Sequence, residues 1–139
     1  MIDVSKSFVR QHYLDFLNRE PHQSGWDFWR NEITQCVFDV NCINYRRIQV
    51  AKAFFYSGEF IQSDPDMVNP PGSPNFNPAV YNRAFVRHCY DNFLRREPDQ
   101  GGWDYWTNVL NGNGNYDTMI TAFLVSGEYR DRFPLVPNF

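Results

Sequence analysis

The stretch Phe16–Trp29 reads FLNREPHQSGWDFW, and Phe93–Trp106 reads FLRREPDQGGWDYW. If the phrase were a reactive site, both copies would keep the same reactive groups. If it were a structural device, both would keep the same turn, cap and packing residues. Pro21 and Pro98 forbid the preceding helix from continuing, because proline lacks an N–H and restricts the residue before it. Asp99 offers a side-chain oxygen to the free N–H groups of the next helix; His22 holds that place in the first copy and is a poorer cap, so Ser24 is expected to take over. Gly25 and Gly102 allow close approach of the chain just before Trp26 and Trp103. Arg19 and Arg96 stand at a helix end, where a cation suits the dipole, and are expected to reach Glu59 and Glu128. Loss of Arg96 is then expected to cost far more stability than loss of an ordinary surface arginine. The phrase predicts a helix–turn–helix corner, built twice.

The repetition extends on both sides. Phe8 aligns with Phe85 at an offset of 77, and Ala53–Phe60 aligns with Ala122–Tyr129 at an offset of 69. The first copy therefore carries an insertion of eight residues, with Cys36 and Cys42 in or beside it. Phe8, Val9, His12, Tyr13, Phe16 and Leu17, like Phe85, Val86, Cys89, Tyr90, Phe93 and Leu94, keep the spacing of an amphipathic helix. A second helix carries Trp26, Trp29 and Ile33, or Trp103, Trp106 and Leu110. A third carries Ile48, Ala51, Phe54 and Phe55, or Met119, Ile120, Phe123 and Leu124. Ser57 and Ser126 are candidate caps of a short fourth helix. The expected fold is all-α: two homologous small helical units, 1–62 and 79–133, a Pro/Asn-rich linker or surface strap over 63–78, and a tail over 134–139.

These residues resemble a bacterial family, the domain of unknown function numbered four-two-one-four. Its pattern runs F-V-x-x-x-Y-x-x-x-L-x-R-E-P-D-x-x-G-x-x-x-W, followed by an apolar helix and S-x-E-F/Y. Here it stands as FVRQHYLDFLNREPHQSGWDFW with SGEF, and as FVRHCYDNFLRREPDQGGWDYW with SGEY. The match covers both units. The chain is also similar to the helical domain of phycobilisome linker polypeptides, a protein–protein scaffold. Members of the family often sit in secreted or surface-layer proteins beside calcium-binding repeats or surface anchors. The resemblance implies an extracellular all-α module with a binding or assembly role and no known catalytic residue. His22 in place of Asp weakens any shared metal site at the corner, and the insertion near Cys36 and Cys42 points to a local role for that loop.

The 139 residues are 42% hydrophobic and 21% charged, a globular composition, with a net charge of −3. No basic run suggests nucleic acid or a membrane surface, no apolar run is long enough to span a bilayer, and no signal peptide is visible in this chain. Aromatic residues reach 18%, which suits a small core and also contact surfaces. Cys36 and Cys42 either close a small loop as a disulfide, contributing about 2–2.5 kcal/mol through loop entropy, or remain two thiols. A bridge would place the protein outside the reducing cytoplasm.

No histidine recurs in both copies: His12 aligns with Cys89, His22 with Asp99 and His88 with Gln11. A position that accepts either His12 or Cys89 is expected to be core. Glu20, Asp27, Glu97, Asp99 and Asp104 lack the calcium-loop pattern and are read as caps and ion pairs. Trp26, Trp29, Trp103 and Trp106 are read as core, whereas Phe28 and Tyr105 fall off that stripe and are the candidate contact surface. The run Asn111–Asn115, NGNGN, is read as a helix-ending turn, with Asn115 capping the next helix. No catalytic, cofactor or metal residue is expected. The expected function is a secreted structural module that contacts copies of itself or other surface proteins and builds a filament or layer. The alternative is a surface adhesion module that binds carbohydrate or calcium.

Overall fold

The apolar stripe from Phe8 to Phe16 winds into α1 (Val4–His12) and then widens into a π-helical turn, Tyr13–Leu17. That turn closes on Asn18, which adopts a left-handed backbone with φ 54° and returns its N–H to the Leu14 carbonyl. In the second half, α5 (Pro78–Cys89) runs into a π-helical turn over Tyr90–Leu94 that closes on Arg95 with φ 56°. The helix stop therefore lies in the left-handed residue and not in Pro21 or Pro98, which follow three residues later and merely prevent resumption.

This computed structural model describes residues 4–132. Between the two π-turns run α2 (Gln23–Thr34), α3 (Val40–Phe55), the one-turn helix α4 (Gly58–Ile61) and a 3-10 turn over Pro65–Met67. After the second π-turn come α6 (Gln100–Asn113), α7 (Tyr116–Leu124) and α8 (Gly127–Asp131). Among the described residues there is no strand, and the fold is all-α. Side-chain caps start most of these helices: Asp39 accepts from Cys42 N–H, Ser57 from Phe60, Asn77 from Ala79, Asp99 from Gly102, Asn115 from Thr118 and Ser126 from Tyr129. The start of α2 is the exception. His22 makes no side-chain cap bond, and Ser24 lies inside the helix instead of before it.

The halves meet through equivalent parts. The two π-turns touch, α3 packs on α7, and the Phe16 and Phe93 rings, which occupy the same place in the repeat, meet edge to face at 5.6 Å. Phe55 from α3 stacks on Phe85 from α5 at 4.4 Å, and Lys52 on α3 pairs with Asp117 on α7 at 3.1 Å. Both halves thus share one aromatic core, each buried Phe removing about 1.5–3 kcal/mol of apolar exposure from water. The segment expected as a surface strap is anchored as well. Met67 is fully buried, and Asp64 accepts a 2.7 Å bond from His88 Nε2. The expected tail 134–139, Phe133 and Met1–Asp3 lie outside the described residues.

Candidate contact faces and the corner that positions them

The corner repeats bond for bond. Arg19 lays its guanidinium against both Glu59 carboxylate oxygens (2.9 and 3.0 Å), and Arg96 does the same to Glu128 (2.6 and 3.1 Å). Each arginine also donates to the next carbonyl, of Glu20 or Glu97, and lies over the ring of Tyr13 or Tyr90. Hydrogen bonding to the arginines holds the Glu59 and Glu128 carboxyls below their usual range. Trp26 donates its indole N–H to the Lys6 carbonyl at 2.7 Å, and Trp103 to the Arg83 carbonyl at 2.8 Å. Arg10 pairs with Glu20 as Arg87 does with Glu97, and Gln23 bonds Asp27 as Gln100 bonds Asp104.

The glycines explain why the corner tolerates no side chain there. A Cβ on Gly25 would stand 2.7 Å from the Tyr13 hydroxyl, and one on Gly102 would stand 2.6 Å from that of Tyr90. Neither glycine has a positive φ, so close approach and not backbone freedom sets the requirement. Trp29 and Trp106, with Trp26 and Trp103, are partly buried and pack against the core.

This corner turns one edge of α2 and of α6 outward. Phe28 is 56% exposed and leans edge-on against Trp29; Tyr105 is 61% exposed and leans the same way on Trp106. The molecule therefore carries an aromatic face on each half, at equivalent positions.

Elsewhere the chemistry is quiet. His12 is buried among Phe8, Phe16, Phe54 and Phe93, shares a hydrogen bond with the Phe8 carbonyl through Nδ1, and has its pKa lowered by burial to about 3. Burial likewise pushes the Cys89 thiol well up. The corner acids are engaged: Asp99 caps α6, Asp104 accepts from Arg83 and Gln100, and Glu97 from Arg87. Among the described residues no three His, Cys, Asp or Glu gather as a metal-ligand set. A shallow groove of about 380 Å³ follows the seam between the halves, lined by Lys52, Tyr56 and Asn113–Asp117, and its surface is mostly polar.

Cys36 and Cys42 are joined as a disulfide (S–S 2.02 Å) across the α2–α3 connection. Sequence reasoning placed these cysteines in a polar, exposed loop but missed its apolar tip. Val37 takes a left-handed backbone with φ 57° and is 68% exposed, and Phe38 is 91% exposed. The signal available was the sequence itself, CVFDVNC, with three apolar residues between the cysteines and no helical stripe to bury them.

The class defined by this geometry matches a known family over the second half of the chain. Residues 67–133 match the family described as Domain of unknown function (DUF4214). The matched segment opens at the buried Met67, inside the stretch expected as linker, and runs through α8. No curated protein and no solved structure matches the chain.

Proposed function

We propose that the protein is a non-catalytic, secreted assembly module that joins proteins, first of all copies of itself, into an extracellular filament or layer. The observation that carries this reading is the pair of outward aromatic faces, Phe28 and Tyr105, presented from equivalent helices that share one core. Two contact faces on one body are what a building block needs, and aromatic side chains are enriched where protein surfaces meet. Part of the reading is that residues 1–62 form a second copy of the matched domain. The recurring corner bonds support it, Arg19–Glu59 with Arg96–Glu128 above all. Likeness to the phycobilisome linker domain belongs to the same proposal, as does residence at the cell surface, with which the Cys36–Cys42 bridge is compatible. The absence of catalysis is supported by the burial of His12 and Cys89, the side chains best suited to react.

Light scattering across a dilution series, with electron microscopy of the same sample, tests the proposal. Concentration-dependent polymers with regular order are expected; a monomer at every concentration would sink it.

The second reading is an adhesion module for carbohydrate. It draws on the polar seam groove, where Tyr56, Lys52, Asp117 and the amides of Asn113 and Asn115 offer a neutral mixture of donors, acceptors and rings. Binding on a glycan array that is lost in Tyr56→Ala would favour it over assembly.

A further inference from the structure

The α2–α3 connection breaks two local rules within two residues. Val37, a β-branched residue, holds φ 57°, a conformation that favours Gly or Asn. Phe38 then projects almost wholly into solvent, with Val37 and Val40 exposed beside it. The disulfide between Cys36 and Cys42 closes the loop beneath this tip, and Asp39 fastens its far side by capping α3 through the Cys42 N–H. The corresponding connection of the second half is shorter, has Gly114 at its left-handed position (φ 61°), and presents no apolar tip. A polar residue at 38 and an Asn or Gly at 37 would serve the turn better, and the described fold buries neither Val37 nor Phe38. Local choices that contradict local physics mark a segment held for contact.

We propose that Val37, Phe38 and Val40 form a preorganised knob that seats on the outer face of α6, around Tyr105 and Trp106, of a second copy of this chain. The inference rests on the assembly reading and names its contact. The knob occurs once per chain, on the first half, and the second half offers an aromatic face without a knob. A contact from one to the other leaves a free knob at one end of the pair and a free α6 face at the other, so it propagates instead of closing. Phe38 against Tyr105 and Trp106 supplies the edge-to-face ring contacts that aromatic pairs prefer. The seam groove is no receptor for this tip, because its lining is polar and carries the Lys52–Asp117 ion pair. Three side chains fall short of the roughly 800 Å² that each partner of a standard interface buries. The knob is therefore the anchor of the contact, with the flanks of α2 and α6 completing it. Closing the loop by a disulfide lowers the ordering cost of such an anchor before it meets its partner.

Phe38→Ser and Tyr105→Ser test this directly, since both side chains are exposed and both variants should keep the wild-type melting temperature. Sedimentation velocity over a concentration series should show the wild type assembling. Each variant alone should need a concentration about tenfold higher or more, as for an anchor residue. An equimolar mixture of the two should form a dimer and stop, because Phe38→Ser keeps the α6 face and Tyr105→Ser keeps the knob. Unchanged assembly of Phe38→Ser overturns the knob while leaving assembly standing. Weakened single variants that fail to pair in the mixture overturn α6 as its receptor. A wild type that stays monomeric throughout overturns the assembly reading, and the inference falls with it.

Discussion

Arg132 Nη1 and Nη2 donate to the two carboxylate oxygens of Asp15 at 3.0 and 3.1 Å, across 117 positions of sequence. The same guanidinium reaches the Phe93 carbonyl at 2.6 Å, so one side chain pins the first π-turn to the second. Asp15 is buried, and removing one partner of a buried pair leaves the other charge uncompensated. Asp15→Ala should lower stability by about 2–3 kcal/mol in urea unfolding. Arg95 stands 3.9 Å from the same carboxylate and is half exposed, so Arg95→Ala should cost no more than about 0.5 kcal/mol. Equal losses in the two variants would remove the pin.

The close approach at the corner predicts a contrast among neighbouring glycines. Gly102→Ala drives a methyl into the Tyr90 hydroxyl and should cost about 1–3 kcal/mol. Gly101→Ala meets nothing nearer than 3.7 Å inside α6 and should be neutral or stabilise by about 0.4–1 kcal/mol. Tyr90→Phe should recover much of the Gly102→Ala loss. Thermal unfolding of the three variants and the double variant decides it.

The Arg96–Glu128 pair is bidentate but nearly half exposed, as is Arg19–Glu59. Water screens both, so the large loss expected from sequence gives way to a smaller one. Arg96→Ala should cost about 1 kcal/mol, part of it from the Tyr90 ring contact, and 1 M salt should shrink the difference. A salt-independent loss of several kcal/mol would contradict this assignment.

Acid should find His12. Its folded pKa is lowered to about 3, while an unfolded histidine titrates near ~6.5. Over that window the unfolded chain binds the proton and the folded one refuses it. Stability is thus fully present above the unfolded value and falls as pH drops from about 6.5 toward about 3. The carboxyls of Glu59, Glu128 and Asp64, held low in the fold, add losses of the same sign at lower pH. His12→Phe removes only the first contribution. Its stability between pH 7 and pH 5 should be flatter than that of the wild type, by chemical denaturation at each pH; parallel curves would refute the assignment.

Much of the corner was legible because its signals are local. Asp99 and Ser126 announce caps, and Gly25 and Gly102 announce contact before a tryptophan. The periodic apolar stripes likewise place Phe16, Phe93 and His12 inside. The π-turns were not legible, since an extra residue per turn leaves the stripe of Tyr13 to Leu17 almost unchanged and only the left-handed Asn18 and Arg95 betray it. Nor was the burial of Met67, a single methionine in a Pro/Asn-rich stretch, whose fate depends on a cavity built by distant α5. The Asp15–Arg132 pin joins residues that have no counterpart in the other half, so no repeat could reveal it.

The meeting of Phe16 with Phe93 has a further consequence for how the chain is held together. Equivalent rings touching across a seam are what two separate molecules would bring to a symmetrical pair. The covalent connection between them sets how often the halves meet more than how they fit. A nick in the exposed stretch near Gly72, beyond the buried Met67, would leave each fragment its own corner and its own half of the seam. The two pieces should then stay associated under native conditions and recombine after separation, behaving as a fused dimer whose tether has been cut.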